Sequence, residues 1–181
     1  PDDAPDYARQ NRAIGATYEP GSTFKAFTVA GALEEGRVTP ETQFSLAPTI
    51  MVADREIGES HPRGYVTLNT RQILEQSSNV GAITIGQRLG AKDFDKWVRR
   101  FGFGQQTGID LPGEEQGIVL PLERYSGSSM GNLPIGQGIA VTPMQMATAY
   151  AAIANGGILR PPHIVEDVGT RPARKPKGHR I

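Results

Sequence analysis

The stretch Tyr18-Glu19-Pro20-Gly21-Ser22-Thr23-Phe24-Lys25 determines the fold that we predict for this chain. Its Pro-Gly pair interrupts the backbone, and a helical pattern begins directly behind it. Apolar residues recur three positions apart, which is the spacing of one face of a helix. They are Phe24, Phe27, Ala30 and Leu33. We therefore expect a helix that ends at about Glu35, with Gly36 as its C-terminal cap.

Ser22 lies at or just before the first turn of this helix, and Lys25 follows three residues later. Side chains three apart are neighbours on a helix, so the hydroxyl and the amine can meet. A neutral lysine can take the proton of a serine if burial lowers the pKa of the amine. Taken alone, the pattern also fits a serine that only caps the helix and a solvated lysine, and this alternative stays open for these two residues.

Composition limits the class of protein before any motif is considered. The 181 residues suffice for one domain, and 38% hydrophobic with 21% charged residues is typical of a soluble globular chain. Lys and Arg together equal Asp and Glu, at 19 each, so the charge gives no reason to expect a nucleic-acid partner. Cysteine is absent and the three histidines are far apart, so we expect no metal and no cofactor.

The chain has no apolar run of the roughly 20 residues that span a bilayer. It opens with Pro1 and a polar stretch, which we interpret as an extended approach over residues 1–17 in an excised fragment of a longer protein. Helices are predicted over 67–89, with a polar corner at 76–79, over 92–101, and from Pro143 onward. Residues 44–66 indicate loops with a short ribbon, and residues 170–181 indicate a mobile basic tail.

Several inner faces follow from the same apolar spacing. The first part of the 67–89 segment is expected to bury Ile73 and Leu74, with Thr67 or Asn69 as its cap. The last helix is expected to have Thr142 as its cap and Pro143 at its first position. Its inner face is expected to hold four residues, namely Met146, Ala149, Tyr150 and Ile153.

Ser77-Ser78-Asn79 forms a second cluster of polar groups, at the corner between two predicted helices. Ser77 can pass a proton between a nucleophile and a leaving amine. Asn79 carries both a carbonyl and an NH2 group, so it can hold a substrate amide. A purely structural alternative is a corner of helix-breaking residues in which Ser78 or Asn79 is an N-cap.

Gly136-Gln137-Gly138 is a third stretch of interest. It lacks the third glycine, the preceding strand and the lysine of phosphate-binding loops, so nucleotide binding is rejected. We expect these glycines to permit close backbone packing before a capped helix.

The motifs occur in a known order. S-x-x-K followed by a Ser–Asn motif is shared by penicillin-binding proteins and class A β-lactamases. The surrounding sequence resembles class B penicillin-binding proteins over about residues 10–168. The similar stretches are residues 12–13 with 18–25, 107–114 (TGIDLPGE), 136–143 and 149–157.

This resemblance implies an α+β fold, that of the penicillin-binding protein and serine β-lactamase transpeptidases. In that fold a helical subdomain packs on a five-stranded antiparallel sheet. The family's third motif, Lys-Thr-Gly or Lys-Ser-Gly, occurs nowhere in the chain. We therefore expect residues 1–181 to be a partial transpeptidase domain, mostly helical, that stops before that motif and lacks most of the sheet.

The resemblance also implies an activity, peptidoglycan D,D-transpeptidation in cell-wall synthesis. By that resemblance Ser22 is the nucleophile, Lys25 its base and Ser77 the proton relay, while Asn79 binds the substrate amide. The backbone N–H of Ser22 would be one oxyanion donor. D-Ala-D-Ala stem peptides and β-lactams would both acylate Ser22.

Two other functions share the first two motifs. One is a β-lactam sensor or non-catalytic penicillin-binding scaffold. The other is a β-lactamase, which needs a deacylating base, and Glu114 and Glu115 are the candidates in a suitable loop.

The resemblance further implies partners and a location. The implied partners are peptidoglycan stem peptides, β-lactam antibiotics and membrane-embedded cell-wall synthesis proteins. The implied location is the extracytoplasmic face of the bacterial cytoplasmic membrane, with an N-terminal anchor that is absent from this chain.

Overall fold

Short helices and strand pairs follow one another along the chain in the computed structural model. It describes residues 10–169, 171–172 and 177–181, with the backbone alone for 167–168 and 171–172. The helices within these residues are α1 (Arg12–Gly15), α2 (Lys25–Glu34), α3 (Thr70–Glu75), α4 (Asn79–Leu89), α5 (Ala91–Arg100), α6 (Ser129–Asn132) and α7 (Pro143–Ala154). Single 3₁₀ turns lie at Gly21–Phe24, Leu122–Arg124 and Leu133–Ile135.

The described strands form antiparallel pairs, with no larger sheet among these residues. Their bounds are β1 (Gln43–Leu46), β2 (Thr49–Val52), β3 (Arg55–Gly58), β4 (Val66–Asn69), β5 (Ile158–Leu159), β6 (Asp167–Val168), β7 (Arg171–Pro172) and β8 (His179–Arg180). β1 pairs with β4 and β2 with β3, and the shorter pairs are β5 with β8 and β6 with β7. Phe44 lies opposite Leu68 in the β1–β4 register, and both side chains are buried.

The chain divides into two compact units. One comprises Glu19–Arg99 and Leu120–Ile139 and holds α2, α3 and α4 with strands β1 to β4. Its core includes three aromatic rings, since Phe24 lies 5.4 Å from Phe27 and 6.4 Å from Phe94 between ring centroids. Gly31 of α2 has no side chain because a Cβ there would lie 2.9 Å from the ring of Trp97. The C-terminal half of α2 therefore lies close against α5.

The other unit comprises the described parts of Pro1–Tyr18, Arg100–Val119 and Ala140–Ile181. It is organised around the buried Gln145 on α7. The Gln145 side chain accepts a bond from the N–H of Thr142 and donates to the carbonyls of Gln105 and Gln116, at 2.7 and 2.8 Å. These bonds tie two loops to the first turn of α7.

The predicted helix caps are confirmed where local side-chain chemistry sets them. Asn69 caps α3 in a reciprocal capping box with Gln72, and Thr142 caps α7 in the same way with Pro143 next to it. Ser78 caps α4 by accepting the N–H of Gly81 at 3.0 Å. Of the alternatives that the sequence left open, Asn69 and Ser78 are therefore the caps.

Other expectations about elements are wrong. The stretch before Ser22 is not simply extended, because Asn11 caps the short helix α1 by accepting the N–H of Ala13. Thr67 lies in β4, where it pairs with β1. The mobility expected of the tail over residues 170–181 stays a prediction, since this tail lies in part outside the described residues; its described part contains β7 and β8.

Four apolar residues expected to face inward are instead exposed by 37 to 44%. They are Leu33, Leu74, Tyr150 and Ile153. In α7 the buried stripe runs through Gln145, Met146, Ala149 and Ala152. Tyr150 and Ile153 each lie one position beyond this stripe, which rotates their side chains by about 100° away from it.

Candidate active site

Ser22 is displayed on a tight turn ahead of a buried helix. It belongs to the 3₁₀ turn Gly21–Phe24, its side chain is exposed, and its carbonyl accepts the backbone N–H of Lys25. Side chains at i and i+3 eclipse one another in a 3₁₀ turn, so Ser22 and Lys25 project on the same side. Phe24 is fully buried beneath the turn. The predicted position of Ser22, just before the helix, is confirmed.

A backbone junction fixes this turn from the other side. The N–H of Gly21 donates to the carbonyl of Gly136 at 2.9 Å. A Cβ at Gly136 would lie 2.7 Å from the nitrogen of Gly21 and closer still to its oxygen, so no side chain fits. The predicted role of the Gly136-Gln137-Gly138 stretch, close backbone packing, is confirmed for Gly136.

Lys25 is a buried amine, with 1% of the residue exposed. Its Nζ lies 2.5 Å from the carbonyl oxygen of Ser77, 3.1 Å from Ser77 Oγ and 2.6 Å from Asn79 Oδ1. Burial lowers the pKa of Lys25 to about 8, and the negative charge of Glu59 works against that decrease. A useful fraction of the amine is therefore neutral near pH 7 to 8, as a general base requires.

The Ser-Ser-Asn corner, residues 77–79, joins α3 to α4 through a strained backbone. Ser77 has φ +54°, in the left-handed region that favours glycine. The Ser77 N–H donates to Leu74 and the Ser78 N–H donates to Ile73, which closes the end of α3. This turn brings both the carbonyl and the hydroxyl of Ser77 to Lys25. Strain of this kind persists only when surrounding contacts hold it.

Asn79 is the first residue of α4 and makes two side-chain bonds. Its Oδ1 accepts from Lys25, and its Nδ2 donates to the carbonyl of Gly58 at 3.0 Å. An asparagine NH2 group carries a second hydrogen, so a donor remains for a substrate amide. The structure thus brings together Lys25, Ser77 and Asn79 and places Ser22 in the turn that leads into Lys25.

Glu59 belongs to this cluster, and sequence reasoning missed it. Its carboxylate accepts from Ser78 Oγ and from the N–H of Asn79, both at 2.6 Å, and from Arg63 at 2.5 Å. Burial opposes its ionisation, but the hydrogen bonds from Ser78, Asn79 and Arg63 outweigh burial, so the pKa of Glu59 is lowered. The Ser78 and Asn79 partners lie 19 and 20 residues further along the chain, so no periodic pattern reveals the contact.

Glu114, one of the two carboxylates considered as a deacylating base, closes a loop of its own unit. It accepts from the hydroxyl and the N–H of Thr107, and from the N–H of Gly108 at 3.1 Å. These bonds give Glu114 a structural role in the 107–114 stretch. Its neighbour Glu115 donates its backbone N–H to the carbonyl of Ile14 at 2.9 Å.

The described residues contain no group of three or more His, Cys, Asp or Glu side chains placed to hold a metal ion. None of the helices in this part of the chain has both the length and the apolar character needed to cross a membrane.

A serine on a turn, a buried lysine and a Ser-Ser-Asn corner that contacts the lysine are the pattern of the serine penicillin-recognising proteins. The family model for the penicillin-binding protein transpeptidase domain matches residues 2–180, and the chain belongs to this family. Its fold is the family's α+β fold, of which the described chain is mostly helical with short strand pairs.

Similar proteins come from several bacteria. Penicillin-binding protein PbpB of Mycolicibacterium smegmatis is 35% identical over 94% of this chain, and stage V sporulation protein D of Bacillus subtilis is 39% identical over 90%. The crystal structure of penicillin-binding protein 3 from Mycobacterium tuberculosis with aztreonam has a TM-score of 0.89 and 34% identity; the match covers 97% of this chain and 42% of that one. The chain spans about a quarter of the length of the first two proteins, 27% of PbpB and 25% of stage V sporulation protein D.

Proposed function

We propose that this chain carries the acylation machinery of a serine-type peptidoglycan D,D-transpeptidase in cell-wall synthesis. The observation that carries the proposal is the buried amine of Lys25, held against Ser77 and Asn79 at the start of the helix that Ser22 leads into. Family membership and relatives named as peptidoglycan D,D-transpeptidases support the same reaction.

In the proposed first step, Ser22 Oγ attacks the carbonyl carbon between the two D-alanines of a stem peptide. The Ser22 proton passes to the neutral amine of Lys25, and the backbone N–H of Ser22 is one donor to the developing oxyanion. The C–N bond then breaks, and the leaving D-alanine amine takes a proton through Ser77. An ester on Ser22 remains, with the substrate amide held by Asn79.

In the proposed second step, the amine of a neighbouring stem peptide attacks this ester. The new amide bond forms, its nitrogen loses a proton to Lys25 through Ser77, and Ser22 Oγ leaves and regains a hydrogen. A β-lactam enters the same first step through its strained amide. One solved relative, penicillin-binding protein 3 of Mycobacterium tuberculosis, is known in complexes with the β-lactams aztreonam and ampicillin, which supports penicillin binding by this site.

We also propose the setting in which the protein works. Its substrates are peptidoglycan stem peptides, and its partners are membrane-embedded cell-wall synthesis proteins on the extracytoplasmic face of the cytoplasmic membrane. An N-terminal anchor holds it there. The support for this setting is the named role of the relatives in peptidoglycan synthesis.

Covalent labelling of the purified full-length protein with a fluorescent penicillin tests the proposed function. Ser22→Ala should lose the label because the attacking oxygen is gone. Ser45→Ala, which removes an exposed serine on β1, should label like the wild type. A Ser22→Ala protein that still forms the adduct would rule out Ser22 as the nucleophile.

The lifetime of the adduct separates the remaining functions. Rapid release of the hydrolysed penicillin would indicate a β-lactamase, since a hydrolase needs a fast second step. A long-lived adduct without peptide transfer to an acceptor amine would indicate a sensor or scaffold. A long-lived penicillin adduct together with peptide transfer is the result expected for a transpeptidase.

A further inference from the structure

The carboxylate of Glu59 lies behind the Ser-Ser-Asn corner, directly after β3. Both of its oxygens are occupied, Oε1 by Ser78 and Arg63 and Oε2 by the backbone N–H of Asn79. Its side chain is 7% exposed. A carboxylate this buried is tolerated only when it is paired and hydrogen-bonded, and here every bond goes to Arg63 or to the corner.

The bonds to Glu59 fix the start of α4. Ser78 Oγ has one hydrogen, which it donates to Glu59, and the same oxygen accepts the N–H of Gly81 that it caps. The Asn79 N–H is one of the first N–H groups of α4, which lack a partner inside the helix. Glu59 therefore sets both the rotamer of the cap and the direction of the first helical residue.

These constraints are transmitted to the groups that contact Lys25. Asn79 is held on its backbone by Glu59 and on its side chain by the carbonyl of Gly58, and these two bonds direct its Oδ1 at Lys25. Ser77 directly precedes Ser78, which Glu59 holds, and its own backbone is strained in the left-handed region. A strained backbone persists only when its neighbours are held, so the bond of Ser78 to Glu59 helps to keep the Ser77 carbonyl hydrogen-bonded to Lys25.

We propose that Glu59 is a positioning residue of this site. Its carboxylate, paired with Arg63, holds Ser78 and Asn79 so that Ser77 and Asn79 keep their hydrogen bonds to Lys25. The inference rests on the proposed function of the site. It deepens that function by naming a carboxylate that positions the residues proposed to carry the reaction. Glu59 acts through the corner and not on substrate, because its oxygens already accept from three donors.

Glu59 also acts on Lys25 through its charge. Among the described residues, Glu59 is the charged group that raises the pKa of Lys25, because its negative charge favours the protonated amine. The groups that face the amine from the corner, Ser77 and Asn79, carry no charge. Removal of the Glu59 charge should therefore make Lys25 easier to deprotonate, while removal of its hydrogen bonds should loosen the corner.

These two effects predict a result that general destabilisation would not give. The rate of labelling by a fluorescent penicillin should rise with pH through about 8 in the wild type, since the neutral amine is the base. In Glu59→Gln the midpoint of this rise should move to lower pH. The plateau rate should fall on the order of 100-fold, because displaced catalytic groups lose rate steeply.

Three comparison proteins sharpen the test. Glu41→Gln removes an exposed carboxylate paired with Arg71 and should match the wild type in midpoint and plateau. Glu59→Asp keeps the charge on a shorter side chain, so its midpoint should stay near that of the wild type while its plateau falls. Ser22→Ala should not label at any pH.

Two results would overturn the proposal. One is a Glu59→Gln protein whose midpoint and plateau equal those of the wild type. The other is a midpoint that moves up towards the usual 10.5 of a lysine, which would mean that Lys25 had become exposed and that Glu59 only stabilises the fold. A wild type that takes no label, or a Ser22→Ala protein that does, would instead refute the proposed function.

NMR titration of Lys25 in isotope-labelled protein keeps the proposal testable even if labelling fails. The midpoint for the Lys25 amine should be near 8 in the wild type and lower in Glu59→Gln. Equal midpoints in these two proteins would contradict the proposed link between Glu59 and Lys25 without any reference to the reaction.

Discussion

The amine of Lys25 can exchange its proton near neutral pH because two opposing effects act on one buried group. Burial lowers its pKa to about 8, and the charge of Glu59 limits that decrease. When protonated, the amine has three hydrogens for the two oxygens of Ser77 and for Asn79 Oδ1. When neutral, it can keep the two shorter bonds and turn its lone pair towards a hydroxyl, which is the form that accepts a proton.

Ser77 combines a hydroxyl proposed to relay protons with a backbone that glycine would adopt more easily, and two substitutions separate these properties. Ser77→Ala and Ser77→Gly should both slow penicillin labelling by about 100-fold or more, since general acid–base catalysis contributes that much. Ser77→Gly should be the more stable of the two by about 1 kcal/mol, because φ +54° strains alanine. Labelling rates and thermal unfolding measure the two effects.

The two variants also define what would contradict these assignments. Wild-type labelling by Ser77→Gly would exclude the hydroxyl from the reaction. A lower unfolding temperature for Ser77→Gly than for Ser77→Ala would show that the left-handed backbone is not a source of strain.

At the scale of elements, the turn that carries Ser22 depends on how closely two backbones approach. Gly21 and Gly136 are joined by the Gly21 N–H to Gly136 carbonyl bond. On the neighbouring side, the N–H of Gly138 donates to the side chain of Glu19 at 2.8 Å. Thr28 on α2 donates to the carbonyl of Pro134. The 3₁₀ turn Leu133–Ile135, which directly precedes Gly136, is thereby anchored to the helix that follows the Ser22 turn.

A pair of glycine substitutions measures this junction. Gly136 and Gly138 have the same φ, +75°, so alanine carries the same backbone strain at either position, about 1–2 kcal/mol. At Gly138 the new Cβ would meet only a Leu133 methyl at 3.8 Å, whereas at Gly136 it would overlap the backbone of Gly21. Gly136→Ala should therefore be less stable than Gly138→Ala by a further 1–3 kcal/mol or so, the usual cost of overpacking.

The same pair should differ in reactivity. Gly136→Ala must displace the Ser22 turn, so its penicillin labelling should slow, while Gly138→Ala should label nearly as the wild type does. Urea unfolding gives the stabilities. Equal stabilities and equal labelling rates would mean that the turn adapts to the added methyl and that the close approach is dispensable.

Signals that lie within a few residues of an element could be predicted from the sequence. The caps at Asn69, Ser78 and Thr142 and the start of α2 behind Gly21 are local, because a side chain bonds to its own turn. The β1–β4 pairing could not be predicted, since it joins residues 20 to 26 positions apart through backbone bonds that no side-chain pattern encodes.

At the scale of the whole molecule, motif resemblance predicted which polar residues lie together better than periodicity predicted the core. The motifs select Ser22, Lys25, Ser77 and Asn79 as candidates, and the structure places Lys25 against Ser77 and Asn79. The sequence does not predict Glu59, because a carboxylate that bonds to the corner can come from any loop that reaches it. Tyr150 was misplaced because apolar spacing does not fix how far a helix is rotated in its unit.

The buried amine should make the stability of the whole protein depend on pH. The pKa of Lys25 falls from its usual 10.5 to about 8 on folding, so between these values the unfolded chain binds more protons. The free energy of unfolding therefore rises with pH across this window, by about 3 kcal/mol for a shift of this size. Urea unfolding of the wild type and Lys25→Met from pH 7 to 11 measures this as a growing difference in favour of the wild type.

Ionisation of Tyr125 and Tyr150, whose pKa values are raised, lowers the free energy of unfolding above pH 10, but this effect is common to both proteins. The same comparison with Lys92→Met, an exposed site, should show no such trend. A difference for Lys25→Met that stays constant with pH would mean that this amine titrates alike in the folded and unfolded chain, and the proposal of Lys25 as a neutral base would lose its physical basis.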